Sequence, residues 1–421
     1  MTRLSYARSR PVQWWMALNA LRSDAVLYAL SALFAIGLGW TSKEPAQWHW
    51  GYLAVGAYVV AAVVAWIFSR RNVRRASLVR VGLLAIVVLG AVAMPLSLEA
   101  KWRQAQPEVS VIDRSATWVS QGKDPYQAYF KNGHLVGGVR GIPTYESFFP
   151  YFPLMSVFGL PSEEQHKSKG LTDPRIVMTL MTLIASALAL GLLRASRAQK
   201  IRVAQVMLAL PTGALFLATG GDDMPILALS LLGVVALQRR SNYLAGVSFG
   251  LAAAMKLTAW PLAIGALLVA RERDGRSAWS KVAVIIGAIV VISIAPFALN
   301  APGAFMSNVF AFPLGLAGVS SPAASALPGH MLTTLWSPLG HFLAPVTLLV
   351  GGYFAAKFLQ RHWPLTLSQL LGLLSVSFAT MICVASATRI GYVIYPLNFA
   401  LWSSVCVEAP TPVLELELNR A

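Results

Sequence analysis

Ionisable side chains are scarce in this chain, and several of them interrupt apolar sequence. Lys256 lies in GLAAAMKLTAW, Arg389 in ASATRIGYVIYP, and Asp222 and Asp223 in TGGDDMPILAL. An ionisable group within a membrane is costly, so such positions point first to function. Lys256 could instead snorkel to the surface, but it sits far from the nearest basic flank. Arg389 has the same standing, and a guanidinium matches phosphate oxygens with its planar fork. Asp222 and Asp223 could hold a metal, a hydroxyl, or the basic residues opposite. His330, in LPGHM, is a further binding candidate.

A second set of candidates lies in the longest polar stretch, Glu99–Pro150. Asp113 reads either as a general base or as the N-cap of a helix from Arg114 to Gln121. Asp124-Pro125-Tyr126 has the composition of a turn, with binding by Asp124 and Tyr126 as the second reading. Glu146 neighbours Tyr145, Phe148, Phe149, Tyr151 and Phe152, and could bind a sugar hydroxyl or cap the following helix. There is no Walker A sequence, HExxH, nucleophile elbow or CxxC, and no metal or cofactor is expected. Cys383 and Cys406 both lie in apolar runs, which argues against a disulfide framework or a zinc site.

The elements that must position these groups are membrane spans. The chain has 421 residues, 56% hydrophobic and 12% charged, about half the charged fraction of a soluble domain. The net charge of +17 comes largely from arginine clusters between apolar runs. That is the positive-inside pattern rather than a nucleic-acid surface. Spans of about 20 residues are expected at Asp24–Trp40, Gly51–Phe68 and Val81–Leu98, the first of them uncleaved. Arg70, Arg71, Arg74, Arg75 and Arg80 face the cytoplasm, which puts Glu99–Pro150 outside. FFPYFPLMSVFGLP is read as dipping into the outer leaflet and returning. Arg194, Arg197, Lys200 and Arg202 then fall inside after the span Pro174–Leu193. Val203–Leu237 and Asn242–Ala270 read as hairpins with outward tips at GGDD and Lys256. Lys281–Leu299 and Leu339–Leu359 are further single spans, and Pro364–Val407 is a third hairpin, with Arg389 in its middle.

The expected fold is thus all-α: a polytopic transmembrane bundle of about 12 spans with a large external loop and both termini cytoplasmic. Its divisions are an N-terminal three-span unit (1–98), an external catalytic loop (99–152), a transmembrane core (153–407) and a short cytoplasmic tail (408–421). A polytopic transporter or flippase of envelope lipids also fits twelve spans with buried charges. No internal repeat is evident, and a long external loop favours an enzyme.

The ordered set DPY, FPYFPL, GGDDMPILALSLLGVVALQRR, LAGVSFGLAAAMKLTAWP, FPLGLAGVSSPAASALPGH and TRIGYVIYPLN resembles glycosyltransferase family 87, in its actinobacterial branch, over about residues 99 to 407. The resemblance implies a GT-C fold and a polyprenyl-phosphate sugar donor. It also implies transfer of mannose, or another sugar, to an envelope lipid or glycan at the outer face of the bacterial cytoplasmic membrane. It implies a catalytic aspartate in the first large external loop, where Asp113 matches. Family members commonly carry Gly-Gln or Asn-Gly-Gln where this chain has Gly220-Gly221-Asp222-Asp223. A sugar phosphate leaves without an acid, so one base with Lys256 and Arg389 as cations is a sufficient set. Single displacement would invert the anomeric centre.

The orientation is testable in intact cells. A cysteine placed at Ser120 should react with an impermeant thiol reagent, and one at Asn72 should not. Labelling at Asn72 would reverse the orientation and remove the external grouping of the candidate residues.

Overall fold

A computed structural model describes residues 20–406 except 71–75, 139, 142, 165–169, 320–322, 324, 337 and 387. Among the described residues the regular structure is helical apart from one hairpin of two-residue strands, Phe130–Lys131 and His134–Leu135. It forms two compact units. One contains the described residues up to Gln106 together with Ser196–Thr219. The other contains Pro107–Ala195 and the described residues from Gly220 onward. The expected external loop therefore begins in the first unit and continues in the second.

The first unit is built on Ala20–Thr41 and Pro45–Ser69, joined by a tight turn and packed along their lengths. Small residues allow the close approach. A Cβ on Gly51 would lie 2.6 Å from the Ala35 carbonyl oxygen and 2.7 Å from the Gly39 nitrogen, as in tightly packed membrane helices. The third helix runs Ala76–Trp102 and passes through a π turn at Leu89–Ala93. Here the Trp50 indole donates to the Ala91 carbonyl at 2.8 Å. A second π turn at Gln205–Ala209 precedes Pro211–Thr219, and the Tyr58 hydroxyl donates to the Ala209 carbonyl at 2.7 Å. Irregular helix in an apolar bundle needs side-chain donors of this kind.

This unit also encloses a charge cluster. Arg80 Nε lies 2.6 Å from Asp24 Oδ2, and Arg202 Nη2 lies 3.0 Å from Asp24 Oδ1 and from Ser23 Oγ. Asp24 and Arg80 are buried. One carboxylate thus joins the helices Ala20–Thr41, Ala76–Trp102 and Arg197–Ala204.

The second unit begins with the loop helix Pro107–Ser120. Helices follow at Pro174–Leu192, Asp223–Gln238, Asn242–Ala253, Trp260–Asn300, Leu339–Arg361, Leu367–Val384 and Ile394–Val405. Trp260–Asn300 is broken at Gly275, whose φ is 84°. The break falls inside the basic stretch RERDGR, where the hydropathy pattern predicts a cytoplasmic turn. The segment Phe148–Pro161 contains no helix of spanning length, only the 3-10 turn Pro153–Phe158 and the start of a short helix.

This is an all-α membrane protein. By length and composition, six helices among the described residues can cross a membrane, or seven if the bent pair Arg197–Ala209 and Pro211–Thr219 is one span. The expected count of about 12 is not confirmed by this measure, which takes Leu257–Asn300 as one span despite its break at Gly275. That expectation treats each hairpin arm as a span, and the structure builds Pro211–Thr219, Asp223–Gln238 and Asn242–Ala253 as helices of 9, 16 and 12 residues.

Replacing Asp24 leaves two arginines without their carboxylate in a dry interior. Asp24→Asn should therefore lower the unfolding free energy in detergent by about 3–5 kcal/mol, as when one partner of a buried pair is removed. Wild-type stability in that variant would show the cluster to be solvated.

Candidate active site

The site forms in the second unit, where three helix ends and two extended segments converge. The loop helix starts at Pro107, a residue suited to the first helical position because it lacks an N–H. Glu108 follows, in the first turn, where the helix dipole favours an acid. Glu108, Ile112 and Ser115 share one face by their i, i+4, i+7 spacing, and Ile112 and Ser115 are buried. That face carries the Glu108 carboxylate to Arg389, with which it forms an ion pair.

Arg389 is held on extended backbone by its neighbours. Thr388 N donates to the Ala323 carbonyl at 2.8 Å, Ser325 N donates to the Thr388 carbonyl at 3.0 Å, and Ile390 N donates to Ser325 Oγ at 2.9 Å. Burial of the Glu108 carboxyl raises its pKa, against the opposing pull of Arg389. Burial also works against the charge on Arg389, but Glu108 and the other nearby acids overcome it, so the guanidinium stays protonated.

The GGDD tip supplies the next two groups. Gly220 has φ +93°, and a Cβ there would lie 2.3 Å from Val109 Cγ2 and 2.6 Å from Arg175 Cγ. Only glycine meets both demands, so the tip can lie against the loop helix. Asp222 and Asp223 then open the helix Asp223–Gln238. Lys256 Nζ reaches both, at 2.6 Å from Asp222 Oδ2 and 2.7 Å from Asp223 Oδ1. Lys256 has extended backbone between Asn242–Ala253 and the turn Leu257–Ala259. The preceding Met255 carbonyl accepts the Phe152 N–H at 2.9 Å, which ties this tip to the aromatic segment.

Tyrosines enclose the lysine. Its Nζ lies 5.5 Å from the Tyr151 ring centroid and 5.6 Å from that of Tyr392. The Tyr395 hydroxyl donates to Asp223 Oδ1 at 2.5 Å and lies 2.9 Å from Thr258 Oγ1. The Tyr151 backbone is fixed in turn by the buried Tyr126, whose hydroxyl donates to the Tyr151 carbonyl at 2.7 Å.

The structure thus brings together Lys256, Asp222, Asp223 and Arg389. Four further expected residues have these partners. Asp124 caps the turn Pro125–Gln127 and accepts from Asn300 Nδ2 at 3.0 Å. Glu146 is held by Arg114, 3.2 Å away, and by Ser110. His330 Nδ1 lies 3.0 Å from the Ser386 carbonyl, beside the segment that carries Arg389. Tyr126 supports Tyr151 as described.

The N-cap reading of Asp113 requires a correction. The helix begins at Pro107 rather than Arg114, so Asp113 lies in its interior and is not its N-cap. Asp113 Oδ1 accepts the Ser162 hydroxyl at 2.6 Å. Five residues along a helix is a rotation of roughly 140° at 3.6 residues per turn, so Asp113 and Glu108 leave the helix in different directions.

Glu108 is the residue that sequence reading passes over. Its signal is an acid placed one heptad before Ser115 and four residues before Ile112, on the stripe that packs inward. Tyr395 and Thr258 carried no signal of their own, since both read as ordinary residues of apolar segments. Among the described residues no three His, Cys, Asp or Glu side chains gather as a metal site.

An all-α membrane protein with a buried site of paired carboxylates and cations beneath a loop helix has the form of a polytopic membrane enzyme. The chain matches the model of glycosyltransferase family 87 over residues 168–387, just over half its length, and it belongs to that family. It is a membrane glycosyltransferase. The match includes Asp222, Asp223 and Lys256, whereas Glu108, Tyr151 and Arg389 lie outside it. No curated protein matches the chain.

The glycine at the tip gives a direct test of this geometry. Gly220→Ala should destabilise the protein by about 1–3 kcal/mol through overpacking, or else displace the tip and abolish sugar transfer. A variant with wild-type melting and wild-type turnover would show that the contact between the tip and Val109 is dispensable.

Proposed function

We propose that this enzyme transfers a hexose, mannose in the first instance, from a polyprenyl-phosphate donor to an envelope lipid or glycan. The reaction takes place at the outer face of the bacterial cytoplasmic membrane and inverts the anomeric centre. Family membership supports the sugar transfer. The arginine distribution supports an outward-facing site.

The observation that carries the reading is the state of Glu108. One of its oxygens meets Arg389, while Oε2 is buried and accepts no hydrogen bond. A buried acceptor left in that state is expensive, and an acceptor hydroxyl would satisfy it. Burial also makes this carboxylate a stronger base than it would be in water.

In the step proposed, the acceptor O–H gives its proton to Glu108 Oε2 as the oxygen attacks the anomeric carbon. The bond from that carbon to the phosphate oxygen breaks, and its electron pair leaves with the polyprenyl phosphate. Arg389 and Lys256 take up the growing phosphate charge with N–H groups already in place, which is where preorganised electrostatics is most effective. A single-phosphate leaving group needs no protonation, so a second carboxylic acid of the kind glycosidases require is unnecessary. Two cations suit one phosphate. Glu108 takes the role that the family resemblance assigns to Asp113, because Asp113 is engaged with Ser162.

The two carboxylates are separated by isosteric substitution. Glu108→Gln still offers Arg389 an amide oxygen, so it should fold with a lowered melting point and still bind polyprenyl phosphate, yet lose roughly 10²–10⁴ in turnover. Asp113→Asn should stay within about tenfold of wild type, a loss no larger than one hydrogen bond with Ser162 can account for. The assay is transfer from a radiolabelled polyprenyl-phosphate sugar into an envelope-lipid extract by purified enzyme. The reverse ranking would return the base to Asp113.

A further inference from the structure

Asp223 Oδ1 is shared. It accepts the Lys256 ammonium at 2.7 Å and the Tyr395 hydroxyl at 2.5 Å. The Tyr395 hydrogen is spent on that bond, so at the 2.9 Å contact between the two hydroxyls Thr258 is the donor and Tyr395 the acceptor. The result is a chain from Thr258 to Tyr395 to Asp223, meeting Lys256 on the same carboxylate oxygen.

Tyr395 is rigidly placed for this. It is buried, stacks on Phe378 with centroids 5.3 Å apart, and packs against Phe399. Its helix, Ile394–Val405, starts a few residues after Arg389. Thr258 lies two positions after Lys256, on the turn Leu257–Ala259. Each partner therefore sits on an element that starts shortly after one of the two cations.

An ammonium has three N–H donors, and the two carboxylates engage two of them. Lys256 can serve a donor phosphate only if Asp222 and Asp223 do not hold it too tightly. A hydrogen bond to a carboxylate oxygen disperses its charge and weakens its grip on a second partner. Thr258, by donating to the Tyr395 hydroxyl, makes that hydroxyl a stronger donor, since bonds in such a chain polarise one another.

We propose that Tyr395, supported by Thr258, is a positioning residue that sets how Lys256 is divided between Asp223 and the donor phosphate, and so tunes affinity for the phosphate lipid. The proposal rests on the reading of Lys256 as a phosphate-binding cation. It assigns Tyr395 no contact with substrate.

The test is a double-mutant cycle on the full-length protein in nanodiscs, with polyprenyl phosphate as the probe, so that sugar identity does not enter. Without the tyrosine hydroxyl, Asp223 holds Lys256 more firmly. Tyr395→Phe should therefore weaken binding about three- to tenfold, the scale of one net hydrogen bond. In the Asp223→Asn background the same substitution should change affinity by less than twofold. Thr258→Ala should weaken binding by a smaller factor, and Thr258→Ser should restore it. Thermal midpoints are measured on the same preparations, because a merely structural tyrosine would lower the midpoint and leave a cycle that adds.

Additive effects of Tyr395→Phe and Asp223→Asn would overturn the proposal, as would unchanged affinity in Tyr395→Phe. Failure of Lys256→Met to weaken binding would instead overturn the reading of Lys256. Failure of the wild-type protein to bind polyprenyl phosphate would overturn the proposed donor, and this inference with it.

Discussion

A charge in an apolar interior must be met by an opposite charge, and this protein meets that constraint in pairs drawn from different elements. Lys256 answers Asp222 and Asp223, and Arg389 answers Glu108. Each pair joins segments far apart in the chain, so the charges fix the geometry as much as the geometry exposes the charges. Breaking such a pair leaves a stranded ion, which is much worse than replacing both partners together. The site is therefore held in register by the same groups proposed to do its chemistry.

The pairing has a chemical consequence. Both cations are already paired, so the proposed phosphate donor would share them with carboxylates rather than enter a bare positive pocket. Competition of this kind favours a ligand that brings further contacts, such as a lipid tail in the bilayer, over a small free anion. It also makes the neighbouring hydroxyls matter, because each modest hydrogen bond shifts a balance between two near-equal partners. Aromatic pairs consolidate the segment that carries Tyr151: Phe148 stacks on Phe312 at 4.4 Å, and Phe152 lies 5.7 Å from Trp260.

Much of this could be read from the sequence because membranes simplify the code. Lys256, Arg389 and the Asp222–Asp223 pair stood out as charges in apolar runs, and the structure gathers them. Basic clusters marked the turns, and Gly275 breaks its helix inside one of them. What could not be read was three-dimensional choice between similar acids. Asp113 and Glu108 lie five residues apart on one helix, both are half-buried, and the rotation of that helix against its neighbours decides that Glu108 meets Arg389 while Asp113 meets Ser162. Pro107 places the helix start earlier than the polar residues imply. The span count of about 12 stays unconfirmed for a related reason. Hydropathy counts apolar arms but does not measure them, and arms as short as Asn242–Ala253 are apolar without being long.

The first unit is assembled from two stretches that are distant in the chain, since it takes Ser196–Thr219 from beyond the loop helix and the span Pro174–Leu192. This has a meaning for biogenesis. Asp24 and Arg80 emerge from the ribosome early and can pair at once. Arg202 and the π-turn carbonyl that receives Tyr58 arrive only after a long intervening segment. Until then the early helices form an unfinished bundle, with a tyrosine hydroxyl lacking its acceptor. Completion of the N-terminal bundle is thus timed by synthesis of the middle of the chain, and a nascent protein halted before Ser196 would expose that gap to quality control.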